Sequence, residues 1–333
     1  MRAAVIEGPG KVTVREVPEP EPAPDEVVIE VDSAGVCGTD LHLLRGELPY
    51  PYPITPGHEV VGTVVEVGRD VSSIEPGSRV TFDPNIPCGK CYFCRRMRFN
   101  HCLDWQGIGI TREGGFAERV AVPGKVVYPV GDMPFERAVF AEPLACVVYG
   151  VLRAAPKPGD RVLLFGAGPI GLLLLQVLKV AGATSVTVVE VREERLRLAE
   201  ELGAERTVRA GHEEALREEA PFGYDIVVDA TGVPEVVSKC ADFVIPGGKV
   251  LLFGVCPEGA TVRLSPFQIY RRDITILGSF ALNYTMDRAL ELLSSGSVRV
   301  EPLISHRFPL ERFPEALELV GSDEPSLKVL VRP

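Results

Sequence analysis

Hydrophobic and polar positions follow two different rhythms along the chain. Up to about residue 142, short runs rich in Val and other β-branched residues are separated by Pro, Gly and acidic residues. This pattern predicts strands joined by turns. We therefore expect a mainly β region that forms a small barrel. Its predicted strands are residues 11–17, 27–31, 60–67, 79–82 and 119–122.

The second rhythm begins after residue 142 and alternates strand-like with helix-like segments. Such alternation is typical of a parallel sheet, and it predicts a doubly wound α/β unit. The predicted strands are residues 161–165, 186–189, 226–229, 249–254 and 274–277, and the predicted helices between them include 193–202 and 234–243. Helical periodicity recurs at 286–294 and 312–320, and a last strand at 326–331 is predicted to return to the β region.

Length, charge and cysteine use narrow the function classes. A chain of 333 residues exceeds one ordinary core and predicts two domains. The formal charge of −11 argues against a nucleic-acid partner, which would need clustered Lys and Arg. The longest apolar stretch, residues 170–181, is interrupted by Gln176 and Lys179, so no membrane partner is expected. No secretory signal is recognisable, and five of eight cysteines stand at metal-ligand spacings, which favours cytoplasmic thiols over disulfides.

A glycine-rich motif follows the first strand of the second region. Gly166, Gly168 and Gly171 fit the G-x-G-x-x-G pattern between a predicted strand and a predicted helix, with Pro169 and Ile170 opening that helix. The glycines permit a tight turn and close approach of a pyrophosphate, which the helix N-terminus attracts. The motif alone also fits an ordinary tight turn, but this context indicates a dinucleotide site.

The choice between NAD and NADP depends on the end of the next strand. Glu190 stands there, nineteen residues after Gly171, where a carboxylate can accept hydrogen bonds from the adenosine ribose and repel a 2′-phosphate. Arg192 and Arg195 lie close by and could offset that repulsion or lie on a solvated helix face. The sequence favours NAD over NADP, with Arg195 as a further candidate cofactor residue.

Four cysteines in the first region form a C-x2-C-x2-C-x7-C pattern. Four thiolates complete a tetrahedral zinc shell and leave no position for a substrate, so this ion is predicted to be structural. An iron–sulfur cluster is the alternative, since the four cysteines alone do not exclude it. The residues are Cys88, Cys91, Cys94 and Cys102.

A second, mixed group of metal-ligating residue types is dispersed along the chain: Cys37, His58, Glu59 and Glu142. A site with mixed ligands can hold zinc and keep one position open for an alcohol oxygen. Individually, Cys37 and His58 also fit ordinary buried residues, and Glu142 fits a surface carboxylate.

Together these motifs resemble the zinc-containing medium-chain dehydrogenase/reductase family, and within it the sorbitol (L-iditol) dehydrogenase-like branch. The resemblance covers nearly the whole chain, because the Gly57-His58-Glu59 signature, the glycine motif and Glu142-Pro143 occur in the family's order. It implies a GroES-like β-barrel catalytic domain formed by 1–143 and 285–333, with a structural-zinc loop at 88–102. It also implies a Rossmann NAD-binding domain at 144–284 and a homotetramer.

The resemblance further implies roles for single residues. Cys37, His58 and Glu59 would bind the catalytic zinc, with Glu142 binding it directly or through water, so that each chain would hold two zinc ions. Thr39 would take the alcohol proton and pass it through the nicotinamide ribose toward His42. Asp40 would orient His58.

The substrate implied is a secondary alcohol or polyol, and two departures from the family bear on it. Ala281 and Leu43 stand where an arginine and a tyrosine are expected, which favours smaller or less polar alcohols. An L-threonine 3-dehydrogenase-like enzyme and a noncatalytic nucleotide-binding protein remain the alternatives. Four aromatic residues are candidates for the substrate pocket, with packing as the other interpretation: Trp105, Phe116, Phe280 and Tyr284.

Overall fold

A computed structural model describes residues 1–47 and 51–333, and in it the chain passes from one unit into a second and back. Unit 1 comprises Met1–Pro143, Met286–Ser294 and Val300–Pro333, and unit 2 comprises Leu144–Thr285 and Ser295–Arg299. The sequence-based boundary placed all of 285–333 in the first domain. Ser295–Arg299 lies with unit 2 because the Gln176 side chain hydrogen-bonds to both the backbone N–H and the C=O of Arg299.

The strands in chain order are β1 (Arg2–Gly8), β2 (Lys11–Glu16), β3 (Glu26–Gly35), β4 (Glu59–Val67), β5 (Arg79–Phe82), β6 (Asn85–Ile86), β7 (Gln106–Gly107), β8 (Arg119–Pro123), β9 (Val127–Pro129), β10 (Arg161–Phe165), β11 (Ser185–Glu190), β12 (Arg206–Arg209), β13 (Tyr224–Asp229), β14 (Val244–Leu252), β15 (Thr275–Gly278), β16 (Ile304–Pro309) and β17 (Lys328–Arg332).

The α-helices are α1 (Gly38–Arg45), α2 (Phe135–Ala138), α3 (Ala141–Ala154), α4 (Pro169–Val180), α5 (Glu193–Glu201), α6 (Glu214–Glu219), α7 (Pro234–Phe243), α8 (Pro266–Arg271), α9 (Met286–Ser294) and α10 (Phe313–Gly321). In residues 1–47 and 51–333, no helix has the length and apolarity that crossing a membrane requires.

Unit 1 is built around a seven-stranded sheet in the order β16-β17-β3-β4-β5-β9, with β8 pairing with β3. One face of β3 and β4 is apolar and buried, and it carries Val27, Ile29, Val31, Val60 and Val64. That face packs on Phe313 and Leu317 of α10. The GroES-like barrel expected from the sequence is thus closed by an element near the other end of the chain.

Unit 2 contains a six-stranded parallel sheet in the order β12-β11-β10-β13-β14-β15. The order reverses at β10, which is the switch point of a doubly wound sheet and lies where such folds bind nucleotides. Val162, Leu163 and Leu164 of β10 are fully buried, as expected for a strand covered on both faces. The predicted α/β class and Rossmann topology are confirmed.

Candidate functional site

Three neighbouring strands of unit 1 bring the mixed ligand group together. β3 is flanked by β4 and β17, with Gly35 opposite Glu59 in one pair and opposite Leu330 in the other. Cys37 follows β3, Glu59 begins β4 and Lys328 begins β17, so their side chains meet at one end of the sheet. Gly35 is required there, since a Cβ at this position would lie 2.2 Å from Glu59 Oε2.

Cys37 is the N-cap of α1, and this cap fixes the residues around it. The Cys37 N–H donates to Asp40 Oδ2 at 2.8 Å, a capping arrangement that holds the fully buried Asp40 at the start of the helix. Asp40 Oδ1 lies 3.9 Å from His58 Nδ1, too long for a hydrogen bond. Neither of those two atoms has a hydrogen-bond partner within the described part of the chain.

Ligand atoms of Cys37, His58 and Glu59 lie within 4.8 Å of one another. Glu142, in the first turn of α3, is not within that distance of all three. Burial disfavours the imidazolium of His58, but the negative charges of Cys37, Asp40 and Glu142 outweigh it and raise its pKa well above the usual value. The structure therefore gathers an excess of negative charge in a buried space.

Lys328 is the residue of this cluster that sequence reasoning missed. Its Nζ donates to both carboxylate oxygens of Glu59, at 2.7 and 2.5 Å, and lies 3.4 Å from the C=O of Val36. Burial opposes the charge of Lys328, yet the carboxylate of Glu59 and the Cys37 thiolate raise its pKa. A single Lys at the start of an apolar strand carries no motif, so the sequence offered no signal for it.

The donor set fits a zinc ion. One sulfur, one imidazole and one carboxylate are ligand types that zinc accepts, and three protein ligands leave a fourth position open. The acidic groups of Cys37, Asp40, Glu59 and Glu142 outnumber the ammonium of Lys328 and the imidazolium of His58, and a zinc ion in place of the His58 proton would offset the remaining negative charge.

The four-cysteine loop forms a separate, closed cluster. All four Sγ atoms lie within 4.8 Å of one another, and those of Cys91 and Cys102 are 4.0 Å apart. Zinc with four Zn–S bonds of about 2.3 Å separates its sulfurs by about 3.8 Å, so the spacing fits one ion and is too small for a cluster of several metal atoms. Backbone N–H groups of Cys94 and Leu103 lower the pKa of Cys91 to about 6, which favours the thiolate.

The two predicted proton-transfer residues both lie on α1. Thr39 is half-buried, and its Oγ1 lies 3.7 Å from Cys37 Sγ. His42 is one turn further along, at the more exposed end of the helix, with 39% of its side chain accessible. The helix therefore leads from the buried cluster to the surface of unit 1.

The glycine motif forms a tight strand-to-helix turn in unit 2. Gly166 follows β10 and has a φ of 97°, and Gly168 is the N-cap of α4, whose first residue is Pro169. A Cβ on Gly171 would lie 2.0 Å from the Gly166 carbonyl oxygen, so only glycine permits this close approach. The free N–H groups at the start of α4 are placed to bind a phosphate.

Glu190 joins the end of β11 to this turn. Its Oε2 accepts a hydrogen bond from the Ala167 N–H at 2.8 Å, and its Oε1 accepts from Val191 and Arg192 at 2.7 and 3.1 Å. Two lone pairs of Oε1 are thus used, and Oε2 keeps one for a further donor. Arg195 lies beside it, with a guanidinium nitrogen 3.9 Å from Oε2.

Two of the residues considered for the substrate pocket belong to the core of unit 1. Phe116 is fully buried and packs on Phe313 with ring centroids 4.4 Å apart. Leu43 is also fully buried, in a cluster with Ile6 and Ile54. Both side chains therefore serve packing, the second of the two interpretations for Phe116. The other candidates are half-buried Trp105, which donates to Asn85, and exposed Phe280 and Tyr284.

Two regions of the chain match models of known protein families. Residues 23–132 match the alcohol dehydrogenase GroES-like domain, and residues 169–295 match the zinc-binding dehydrogenase domain. The first match contains the four-cysteine loop and Cys37, His58 and Glu59. The second contains Glu190 and the end of the glycine motif, from Pro169 to Gly171.

Curated relatives match over almost the full length of the chain. D-arabinitol dehydrogenase 1 from Uromyces fabae is 36% identical over 340 residues, which cover 100% of this chain and 97% of that protein. L-threonine 3-dehydrogenase from Pyrococcus horikoshii is 35% identical over 320 residues, covering 92% and 90%.

Solved structures also match this chain over its full length. A Sinorhizobium meliloti 1021 protein bound to NADP has a TM-score of 0.95 and 39% identity, covering 100% of this chain and 99% of that one. An alcohol dehydrogenase from Escherichia coli CFT073 in complex with NADH has a TM-score of 0.94 and 30% identity, again covering 100% and 99%.

Proposed function

This chain belongs to the zinc-containing medium-chain dehydrogenase/reductase family, in its sorbitol dehydrogenase-like branch, and on that premise we propose that it transfers a hydride between a secondary alcohol carbon and NAD. It is a zinc-dependent alcohol or polyol dehydrogenase. The observation that carries the proposal is the group formed by half-buried Cys37 with buried His58 and Glu59, whose three ligand atoms leave a coordination position for the substrate oxygen.

Each residue of unit 1 then has a role around the alcohol hydroxyl. Cys37 and His58 hold the catalytic zinc together with Glu59 or Glu142, and the ion supplies the Lewis acidity that makes the hydroxyl proton easier to remove. Thr39 receives that proton and passes it outward toward His42. Asp40 keeps the ring of His58 in position from the buried side.

The four-cysteine loop holds a second, structural zinc. Its sulfur set is closed, so this ion fixes residues 88–102 and takes no part in the reaction. Metal analysis of the purified enzyme should give two zinc ions per chain. Cys37→Ser should lose one of them and abolish turnover, while Cys240→Ser should keep both, because that cysteine lies in neither cluster. Full turnover in Cys37→Ser would reject the assignment.

NAD is the proposed cofactor, and Glu190 is the reason. The free lone pair of its Oε2 suits a ribose hydroxyl, and its charge repels a 2′-phosphate. NADP in the related Sinorhizobium meliloti structure makes a direct test necessary. Glu190→Gln keeps the hydrogen-bond acceptor and removes the charge, so it should gain NADP activity, whereas Glu190→Ala should also lose NAD affinity. If both variants keep the wild-type preference for NAD over NADP, the assignment of Glu190 to the adenosine ribose is rejected.

The substrate is proposed to be a small secondary alcohol or a polyol with few polar contacts. Ala281 offers no partner to a hydroxyl, which lowers the selectivity for hydroxyl-rich substrates. A panel of polyols, simple secondary alcohols and L-threonine, each with NAD and NADP, tests this. The 35% identity to L-threonine 3-dehydrogenase makes threonine the second candidate, and preferential threonine oxidation would establish it in place of the first.

We further propose a cytoplasmic homotetramer. All eight cysteines are free thiols, which suits a reducing compartment. β15 is an edge strand of its sheet, and Phe267 and Tyr270 next to it are 65% and 81% exposed, so a second copy of the chain can cover this edge. Tyr270→Glu should reduce the mass measured by light scattering, whereas Phe222→Glu, at a similarly exposed position, should not. A monomeric wild type would contradict the proposal.

A further inference from the structure

The end of α1 turns the chain back onto the last turn of the helix. Gly46 is the C-cap, with φ of 71° and ψ of 22°, a left-handed conformation that favours glycine. The N–H of Gly46 donates to the C=O of Leu43 at 3.1 Å, and the N–H of Glu47 donates to the C=O of His42 at 3.0 Å. The backbone thus places Glu47 beside His42, although five positions separate them.

This reversal is held from two sides. A Cβ on Gly46 would lie 2.8 Å from the side chain of Pro9, which belongs to the turn between β1 and β2. The N–H of Gly10 in the same turn donates to the C=O of Leu44 at 2.6 Å. Tyr52 donates its hydroxyl to the C=O of Leu43 at 2.5 Å. The position of Glu47 is therefore set by the fold around the helix end.

The carboxylate of Glu47 contacts one particular nitrogen of His42. Glu47 Oε2 lies within hydrogen-bond distance of Nδ1, and the two side chains are 47% and 39% exposed. An ionised carboxylate only accepts hydrogen bonds, so a neutral His42 ring bonded to it carries its hydrogen on Nδ1. Its Nε2 then has a free lone pair.

We propose that Glu47 is a positioning residue that fixes the His42 tautomer with the hydrogen on Nδ1, so that Nε2 is ready to accept the proton released by substrate oxidation. The inference rests on the proposed role of His42 at the outer end of the proton path. A proton bound at Nε2 gives the imidazolium, and loss of the same proton to water or buffer restores the neutral ring. Glu47 keeps its hydrogen bond from Nδ1 throughout and gains or loses no proton.

Turnover and tautomer should respond together to substitutions of Glu47. Glu47→Ala removes the acceptor and should lower kcat by about fivefold to tenfold, a small part of the 10²–10⁴ that general acid–base catalysis contributes. KM for the alcohol should stay unchanged, because Glu47 bonds to His42 and is not a member of the ligand group. Glu47→Gln retains an acceptor oxygen and should keep most of the rate. Glu75→Ala, another exposed glutamate of unit 1, is the control.

The tautomer is read directly from nitrogen NMR of the zinc-loaded enzyme labelled at histidine, with His42→Gln used to assign the signal. Wild type and Glu47→Gln should show hydrogen on Nδ1 of His42, and Glu47→Ala should lose that preference. Added imidazole buffer should restore the rate of Glu47→Ala and His42→Gln without affecting wild type. The proposal is overturned if Glu47→Ala keeps the wild-type tautomer and kcat, or if Glu47→Gln loses both. Full turnover in His42→Gln would instead reject the proton path, and the NMR result would still decide the role of Glu47.

Discussion

Replacing Lys328 by Met tests how the buried Glu59 carboxylate is stabilised. The side chains of Lys328 and Glu59 are only 6% and 2% exposed, and both carboxylate oxygens bind the ammonium, at 2.7 and 2.5 Å. Removing one partner of such a pair leaves an uncompensated buried charge and costs about 3–5 kcal/mol. Lys328→Met should therefore lower the free energy of unfolding of the metal-free protein by about that amount.

The loss should be smaller when zinc is bound. A dication next to Glu59 replaces the missing charge of Lys328, so the variant should bind the catalytic zinc more tightly than wild type does. Each tenfold gain in affinity corresponds to about 1.4 kcal/mol of recovered stability. Chemical denaturation of chelator-treated and zinc-loaded protein, combined with a zinc competition titration, measures both quantities. Lys125→Met, at an exposed position of unit 1, controls for the loss of a positive charge.

A double-mutant cycle isolates the ion pair from the packing of the lysine stem. Lys328→Met/Glu59→Gln removes both charges, and it should be clearly more stable than Lys328→Met alone in the metal-free state. Glu59→Gln alone completes the cycle. If this substitution changes the free energy of unfolding equally in wild type and in Lys328→Met, the coupling energy is close to zero. The ion pair would then not explain why Glu59 is tolerated in the buried cluster.

Three further predictions concern other parts of the chain. Burial raises the pKa of Asp83 to about 6, above the value of about 3.9 for an unfolded chain, so stability should fall by about 2 kcal/mol as the pH rises from 4 to 7. Asp83→Asn keeps the accepting oxygen and should remove this decline in thermal unfolding, with equal stability at pH 4. Gly171→Ala forces a Cβ against the Gly166 carbonyl and should lower the free energy of unfolding by about 1–3 kcal/mol. The same variant should lose most of the NAD binding measured by calorimetry. Gly259→Ala, where a Cβ meets open space, should change neither quantity. Cys91→Ser should lower zinc content by one ion per chain and reduce the unfolding temperature; unchanged metal content would count against a structural ion.

The fold was predictable where one local pattern decides it. The apolar periodicity after Val233 predicts a helix over 234–243, and α7 spans Pro234–Phe243. Strand β1 was missed because Ala3, Ala4, Val5 and Ile6 are all buried, so its sequence shows no alternation of apolar and polar residues. The short helix α1 was missed as well, since its cap is a cysteine, which is not among the residues that usually signal a helix start.

The candidate site was predictable only as far as motifs extend. Cys37 and His58 stand in recognisable sequence contexts, but Lys328 reaches them through the pairing of β17 with β3, which no local pattern encodes. Phe116 is the opposite case, a candidate for the site that belongs to the core. Its aromatic side chain fitted a substrate pocket or core packing equally well in the sequence, and contact with Phe313 of α10 places it in the core.

The position of Lys328 at the start of β17, far along the chain from Glu59, has a consequence for protein synthesis. Lys328 follows Glu59 by 269 positions. A ribosome that adds about 5–20 residues per second therefore adds Lys328 about 13–54 s after Glu59. During that interval the Glu59 carboxylate of the nascent chain lacks the Lys328 ammonium that it binds in the folded protein. The pairing of Glu59 with Lys328 must therefore wait for translation of β17, and nascent chains stalled before this strand should be cleaved more readily in this region than the complete protein.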